Sequence, residues 1–177
     1  MRASAWALRA RVTLLHCTTE YPAPVDQTNL AAMATMRAAF GLEVGYSDHT
    51  EGLEVSLAAV ALGARVIEKH FTLDRGAEGP DHAASIEPDQ KAALVEGAAK
   101  VVAALGTGLK QPGPAEARNI PVVRKSLCAA RDLPAGHVLT AGDVALLRPG
   151  TGRAPLEYWD VLGTVTTRAH AKGEARE

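Results

Sequence analysis

The chain has 177 residues, is 47% apolar and 4% aromatic, and carries a formal net charge of −1. So little charge gives no basic field for a nucleic acid or a membrane surface, and neither is expected as a partner. No apolar run reaches the roughly 18 residues needed to cross a bilayer, and with few aromatics Ala, Val and Leu must supply the core.

The first nineteen residues hold three arginines and no acid. Transit peptides share that bias, but Ala5-Trp6-Ala7-Leu8 is too short for a signal-peptide core. Val12-Thr13-Leu14-Leu15 moreover already reads as a buried strand, which disfavours a targeting segment. Val12 to Cys17 is a short, mostly apolar run expected to form a strand, with His16 as a satisfied core histidine and Cys17 as a small buried residue. Tyr21-Pro22-Ala23-Pro24 then breaks the chain, because proline fixes φ and lacks an N–H. Asn29 to Phe40 predicts a helix stopped by Gly41. Leu42 to Tyr46 is the next strand, and Glu51 to Leu62 the next helix, ending at Gly63. Arg65 to Ile67 opens a third strand that ends near His70. Glu87-Pro88-Asp89 starts a long helix through Leu105, with proline in its first turn.

The order β-α-β-α-β-α with short connections predicts α/β structure, a parallel sheet with right-handed crossovers. Three units cannot close an eight-stranded barrel, which takes about 250 residues. That leaves a small open sheet or the last three units of a larger TIM-type barrel. The second is favoured, because a chain opening almost directly on a strand leaves a sheet edge uncovered. Residues 1–105 form this part, and 106–118 are a linker whose clearest stretch is Gly106 to Pro114. From 119 to 177 the pattern predicts a small β-rich domain, with strands at Val122-Val123, Ser126 to Ala130, His137 to Thr140 and Val144 to Leu147. Tyr158-Trp159-Asp160 is expected to anchor its core. Cys17 and Cys128 lie far apart and outside any metal-binding spacing, which favours a reducing cytoplasm over a disulfide framework.

Two histidines carry the strongest chemical signal. His49 in Gly45-Tyr46-Ser47-Asp48-His49-Thr50 and His70 in Glu68-Lys69-His70-Phe71 each follow a strand and lie beside an acid. A lone histidine is more often a hydrogen-bonded core or surface residue. Two at neighbouring strand ends can share a divalent ion, with carboxylates fixing their tautomers. Two nitrogens plus water suit a six-coordinate ion such as Mn²⁺ better than a closed zinc site. In the polar loop after the third strand, Asp81 can face substrate hydroxyls or bond its own backbone in a turn. Ser47 and Thr18-Thr19 can donate to a phosphate or serve as turn and cap residues. Tyr21 can meet a sugar or pack its loop. Arg148, in Arg148-Pro149-Gly150-Thr151-Gly152, heads a positively charged turn.

Taken together, Leu14-Leu15-His16-Cys17-Thr18-Thr19-Glu20-Tyr21-Pro22-Ala23-Pro24, the His49 and His70 segments running to Arg75, and Gly79-Pro80-Asp81-His82 resemble the sialic acid synthase family. That family includes N-acetylneuraminate, legionaminate and pseudaminate synthases. Arg131-Asp132-Leu133-Pro134-Ala135-Gly136 and Leu147 to Gly152 resemble its terminal antifreeze-like (SAF) domain. The resemblance implies a TIM-type barrel followed by a β-clip domain swapped across a homodimer. It implies condensation of phosphoenolpyruvate with N-acetylmannosamine or a related N-acyl amino sugar. His49 and His70 would bind Mn²⁺, with Mg²⁺ or Co²⁺ as alternatives, and with Asp81 they form the expected catalytic set. Ser47 and Thr19 would meet phosphoenolpyruvate, Tyr21 and Asp81 the sugar, and Arg148 the sugar's acyl group from the partner chain. Thr19 stands where some members carry asparagine. By the same resemblance Met1 to Arg11 looks like the tail of a preceding barrel helix, and barrel residues that the family takes from earlier strands are absent, which implies an N-terminally truncated, inactive fragment; the segment from His170 on also ends early. The competing reading is a non-catalytic SAF module for binding or dimerisation.

Overall fold

The three apolar runs become parallel strands in the computed structural model, which describes residues 12–175; the helix tail expected over Met1 to Arg11 lies outside the described residues. Strand β1 (Thr13–Cys17), β2 (Glu43–Asp48) and β3 (Ile67–Lys69) pair in the order β1-β2-β3. Cys17 stands opposite Ser47, and Ser47 opposite Glu68. Helix α1 (Ala32–Phe40) links β1 to β2, and α2 (Glu54–Ala61) links β2 to β3. Helix α3 (Pro88–Leu105) follows and packs on α2.

Both crossover helices cover the same face of the sheet. Met33 of α1 and Val55 and Ala59 of α2 share one buried cluster with Val44 and Tyr46 of β2, flanked by Leu14 and Ile67. An open doubly wound sheet would place helices on both faces. Winding to one side is how barrel units are built. The other face carries Leu15, Cys17, Gly45, Ser47, Val66 and Glu68, and there Leu15 and Val66 remain about two-fifths exposed (39% and 43%). Cys17, expected to be buried, is exposed because it ends an edge strand on this open face. His16 points the other way, half-buried, its Nε2 bonding the Thr28 carbonyl at 2.8 Å.

Two helices start later than the sequence predicts. Asn29 adopts φ 45°, in the left-handed region that asparagine tolerates, so α1 waits until Ala32. Gly52 at φ 77° likewise delays α2 to Glu54. The stop at Gly41 is as expected, with φ 62° and its N–H donating to the Arg37 carbonyl at 2.9 Å.

The chain divides into two compact units between Leu109 and Lys110. The second holds one antiparallel pair, β4 (Ser126–Ala129) with β5 (Val144–Leu147), and isolated bridges such as Val138 with Val165. The strand expected over His137 to Thr140 reduces to that single bridge, because Thr140 turns to cap the next segment through Asp143. The strand expected at Val122-Val123 is a helical turn, Ile120–Val123, with Pro121 within its first turn, where a missing N–H costs nothing. Leu127, Ala129, Leu133, Leu139 and Val161 form this unit's core. Within the turn Tyr158–Val161, Tyr158 packs against that core while Trp159 points outward, 78% exposed. Trp159 is therefore no core anchor.

Candidate functional site

His49 and His70 stand at the carboxyl ends of the adjacent strands β2 and β3. Their ring centroids are 5.2 Å apart at an interplanar angle of 64°. The loop after β1 folds back over them, held by the Ala23 N–H donating to the His49 carbonyl at 2.8 Å. That bond brings Tyr21 against both rings, with centroids 5.1 Å from His49 and 4.2 Å from His70. Below the imidazoles runs the cross-strand row Cys17, Ser47, Glu68. Cys17 Sγ lies 3.7 Å from His49 Nε2, and the Ser47 hydroxyl donates a short hydrogen bond to Glu68.

In sequence Glu68 stands out only as an acid near His70, not as the partner of Ser47, and Cys17 only as a small buried residue, which it is not. Both were within reach of one signal, the period of two along a strand. Glu68 is two residues before His70 and so shares its face. Cys17 is the last residue of an edge strand and pairs with Ser47.

A second, deeper pair lies on the helix-covered face. Asp48 and Lys69 are opposite one another in register and form an ion pair of 3.0 Å, with side chains 0% and 4% exposed. Asp48 also accepts from the Thr50 N–H at 2.9 Å, the Thr50 hydroxyl at 2.7 Å and the Ser56 hydroxyl at 2.5 Å. Lys69 donates to the Thr50 carbonyl at 2.6 Å. Each buried charge thus has more than one partner, as burial requires.

The loop after β3 returns to the site. Ile86 bridges Phe71, donating to the His70 carbonyl at 3.0 Å and accepting from the Thr72 N–H at 2.9 Å. The Thr72 hydroxyl bonds His82 Nδ1 at 2.7 Å, and the Ser85 hydroxyl donates to the Asp81 carbonyl oxygen at 2.7 Å. The Asp81 carboxylate makes no capping bond to the turn it heads. Its charge reaches Tyr21, whose phenol is raised above the usual range chiefly by burial and then by Asp81, Glu68 and Asp48, against a hydrogen bond with Ser85. Of the residues singled out from sequence, His49, His70, Ser47, Tyr21 and Asp81 therefore come together. Thr19 is exposed on the same loop as Tyr21. Arg148 belongs to the second unit, where its Nε donates to the Val123 carbonyl at 2.7 Å and the side chain is exposed.

Imidazole–metal bonds of about 2.1 Å place each ring centroid roughly 3.2 Å from the ion, so rings on neighbouring coordination positions stand roughly 4.5–5.3 Å apart. The 5.2 Å between His49 and His70 fits two such donors. Among the described residues no group of three or more His, Cys, Asp or Glu is arranged to hold an ion. The chain's own share of a metal centre would be these two nitrogens.

A model of the NeuB family matches residues 3–110, and a model of the SAF domain matches 124–175. N,N'-diacetyllegionaminic acid synthase of Campylobacter jejuni is 48% identical over 168 residues, 95% of this chain and 50% of that protein. The enzyme of the same name from Legionella pneumophila is 46% identical over 153 residues, 86% of this chain and 43% of its own length. Among solved structures, spore coat polysaccharide biosynthesis protein E of Chromobacterium violaceum superposes with a TM-score of 0.66 at 28% identity, covering 99% of this chain and 55% of that one. The chain spans about half the length of the curated relatives it matches.

Proposed function

This chain belongs to the NeuB family, and from that premise we propose that it carries the metal-binding half of a nonulosonic acid synthase site. The reaction is condensation of phosphoenolpyruvate with an N-acyl amino sugar, releasing phosphate. The acceptor we favour is the diacylated sugar of legionaminate synthesis, because the two relatives at 46–48% identity bear that name. The observation that carries the reading is the pair of imidazoles 5.2 Å apart under the Tyr21 ring.

His49 and His70 would hold the divalent ion, Mn²⁺ first, with Mg²⁺ and Co²⁺ as alternatives. When bound, such an ion supplies a Lewis acid for the sugar's carbonyl oxygen. Tyr21, with its phenol kept neutral well above pH 7, is a hydrogen-bond donor to a sugar hydroxyl. Asp81, its carboxylate free of the local turn, accepts from a neighbouring hydroxyl. Ser47 spends its proton on Glu68, so it offers lone pairs until it rotates toward a phosphate. Thr19 is the second hydroxyl on that side. Arg148, in this reading, serves the site of a partner subunit in a domain-swapped homodimer, presenting its exposed terminal nitrogens to an acyl oxygen. The enzyme would work in the cytoplasm, where its phosphorylated substrate is made.

The test has two parts. Mn²⁺ binding by the 177-residue chain, followed by electron paramagnetic resonance, is expected to drop at least tenfold in His49→Ala and in His70→Ala; unchanged binding would sink the metal assignment. A gene product of full family length is expected to release phosphate from phosphoenolpyruvate only when an amino sugar is present. The 177-residue chain alone is expected to show no turnover.

A further inference from the structure

The dipeptides Asp48-His49 and Lys69-His70 place a buried charge immediately before each imidazole. Because Asp48 and Lys69 are cross-strand partners, their 3.0 Å ion pair ties β2 to β3 at the last register position before the two histidines. Beyond it the strands separate into loops. The pair is nearly inaccessible, and Thr50 closes it from above: its hydroxyl and N–H bind Asp48, and its carbonyl accepts from Lys69. Ser56, in the first turns of α2, adds a further donor to Asp48. A charged residue is costly to bury, and a three-stranded sheet does not need one at this place for its core.

We infer that Asp48 and Lys69 are positioning residues that set the spacing of His49 and His70, so that the two nitrogens are held ready for one ion. Neither side chain would touch an ion held by the two imidazoles, because both lie on the opposite face of the sheet. The inference rests on the metal reading of the histidines, but the geometry it asserts is present without any ion. By contrast, Glu43 and Arg65, which pair at 3.4 Å at the other end of the same strands, are 61% and 70% exposed and fix nothing at the site.

The experiment compares two double variants with wild type on the whole chain. Asp48→Asn with Lys69→Met removes both charges and the bridging bond while keeping volume. Asp48→Asn with Lys69→Gln removes the charges but lets one carboxamide donate to the other. Nuclear Overhauser contacts between the His49 and His70 ring protons are recorded without metal, and Mn²⁺ affinity is measured separately. The Asn/Met variant is expected to keep its far-ultraviolet circular dichroism, lose the ring contacts and bind Mn²⁺ about tenfold more weakly, the scale on which outer-shell partners act. The Asn/Gln variant is expected to restore both, and Glu43→Gln with Arg65→Gln to change neither. Retained ring contacts and affinity in the Asn/Met variant would overturn the inference. If that variant does not fold, loss of the contacts in a folded Asn/Gln variant would overturn it. If wild type binds no Mn²⁺ yet the ring contacts follow the pair, the metal reading fails and the positioning role stands.

Discussion

At the scale of single residues, the buried carboxylates show how the chain uses charge. Asp143, in the second unit, accepts from Arg131 Nε at 2.8 Å, His137 Nε2 at 2.9 Å, and the Thr140 N–H and hydroxyl at 2.9 and 2.7 Å. These bonds, His137 and Thr140 foremost, hold its carboxyl far below the usual carboxylate range. The sign follows from linkage. The folded state binds the proton less readily than the unfolded state, so Asp143 stabilises the unit fully at neutral pH, and that contribution fades as pH falls below about 4. Thermal melts between pH 7 and pH 3 are expected to show a smaller acid-induced loss in Asp143→Asn than in wild type, from a lower starting stability. An equal loss in both would place the acid-sensitive group elsewhere. Tyr21 and Asp81 stand out in sequence as candidates because their motifs are local. Their proximity does not, since it depends on two loops meeting above different strands.

At the scale of elements, one glycine decides how closely the strands run. Gly45 faces the open side of β2 between Leu15 and Val66. A Cβ there would collide with the Val66 carbonyl oxygen and stand 2.6 Å from Leu15 Cδ2. Gly45→Ala is therefore expected to destabilise the first unit by about 1–3 kcal/mol, the usual cost of overpacking. Urea unfolding monitored by circular dichroism checks this, and a neutral result would show that β1 or β3 shifts aside at no cost. Element type was legible wherever periodicity ran long, as in α3, whose Glu87 N–H donates to Gln90 Oε1 at 3.1 Å. Only the boundaries moved where a single backbone conformation overrode propensity, at Asn29 and Gly52, each followed by a helix that starts late. In the second unit, short apolar runs near Pro121 and Thr140 looked like strands. There, tertiary hydrogen bonds rather than local preference decide the structure.

At the scale of the whole chain, the two units each carry a separate core. The residues joining them are exposed, including Lys110 and Arg118. Brief trypsin treatment is expected to cut first at one of these two positions and leave two resistant fragments. First cuts before Lys110 or beyond Arg118 would show that the segment around the division at Leu109 is not where the chain is most open. A resistant second fragment would also be the material for a non-catalytic binding module. Among the described residues no helix is long and apolar enough to cross a membrane.

The bridge between Phe71 and Ile86 has a consequence for how such a protein can change. Because Ile86 returns to Phe71, just past β3, and bonds the His70 carbonyl and the Thr72 N–H, the segment from Leu73 to Ser85 is a closed excursion whose two ends are already fixed. Doubling its length would add only about 0.6 kcal/mol of closure entropy. On the proposed reading of Asp81, insertions and substitutions in this segment would reshape the wall that carries it while His70 and the start of α3 keep their places. Such changes would leave the register of the three strands untouched, so this loop is where divergence among related chains is expected to concentrate.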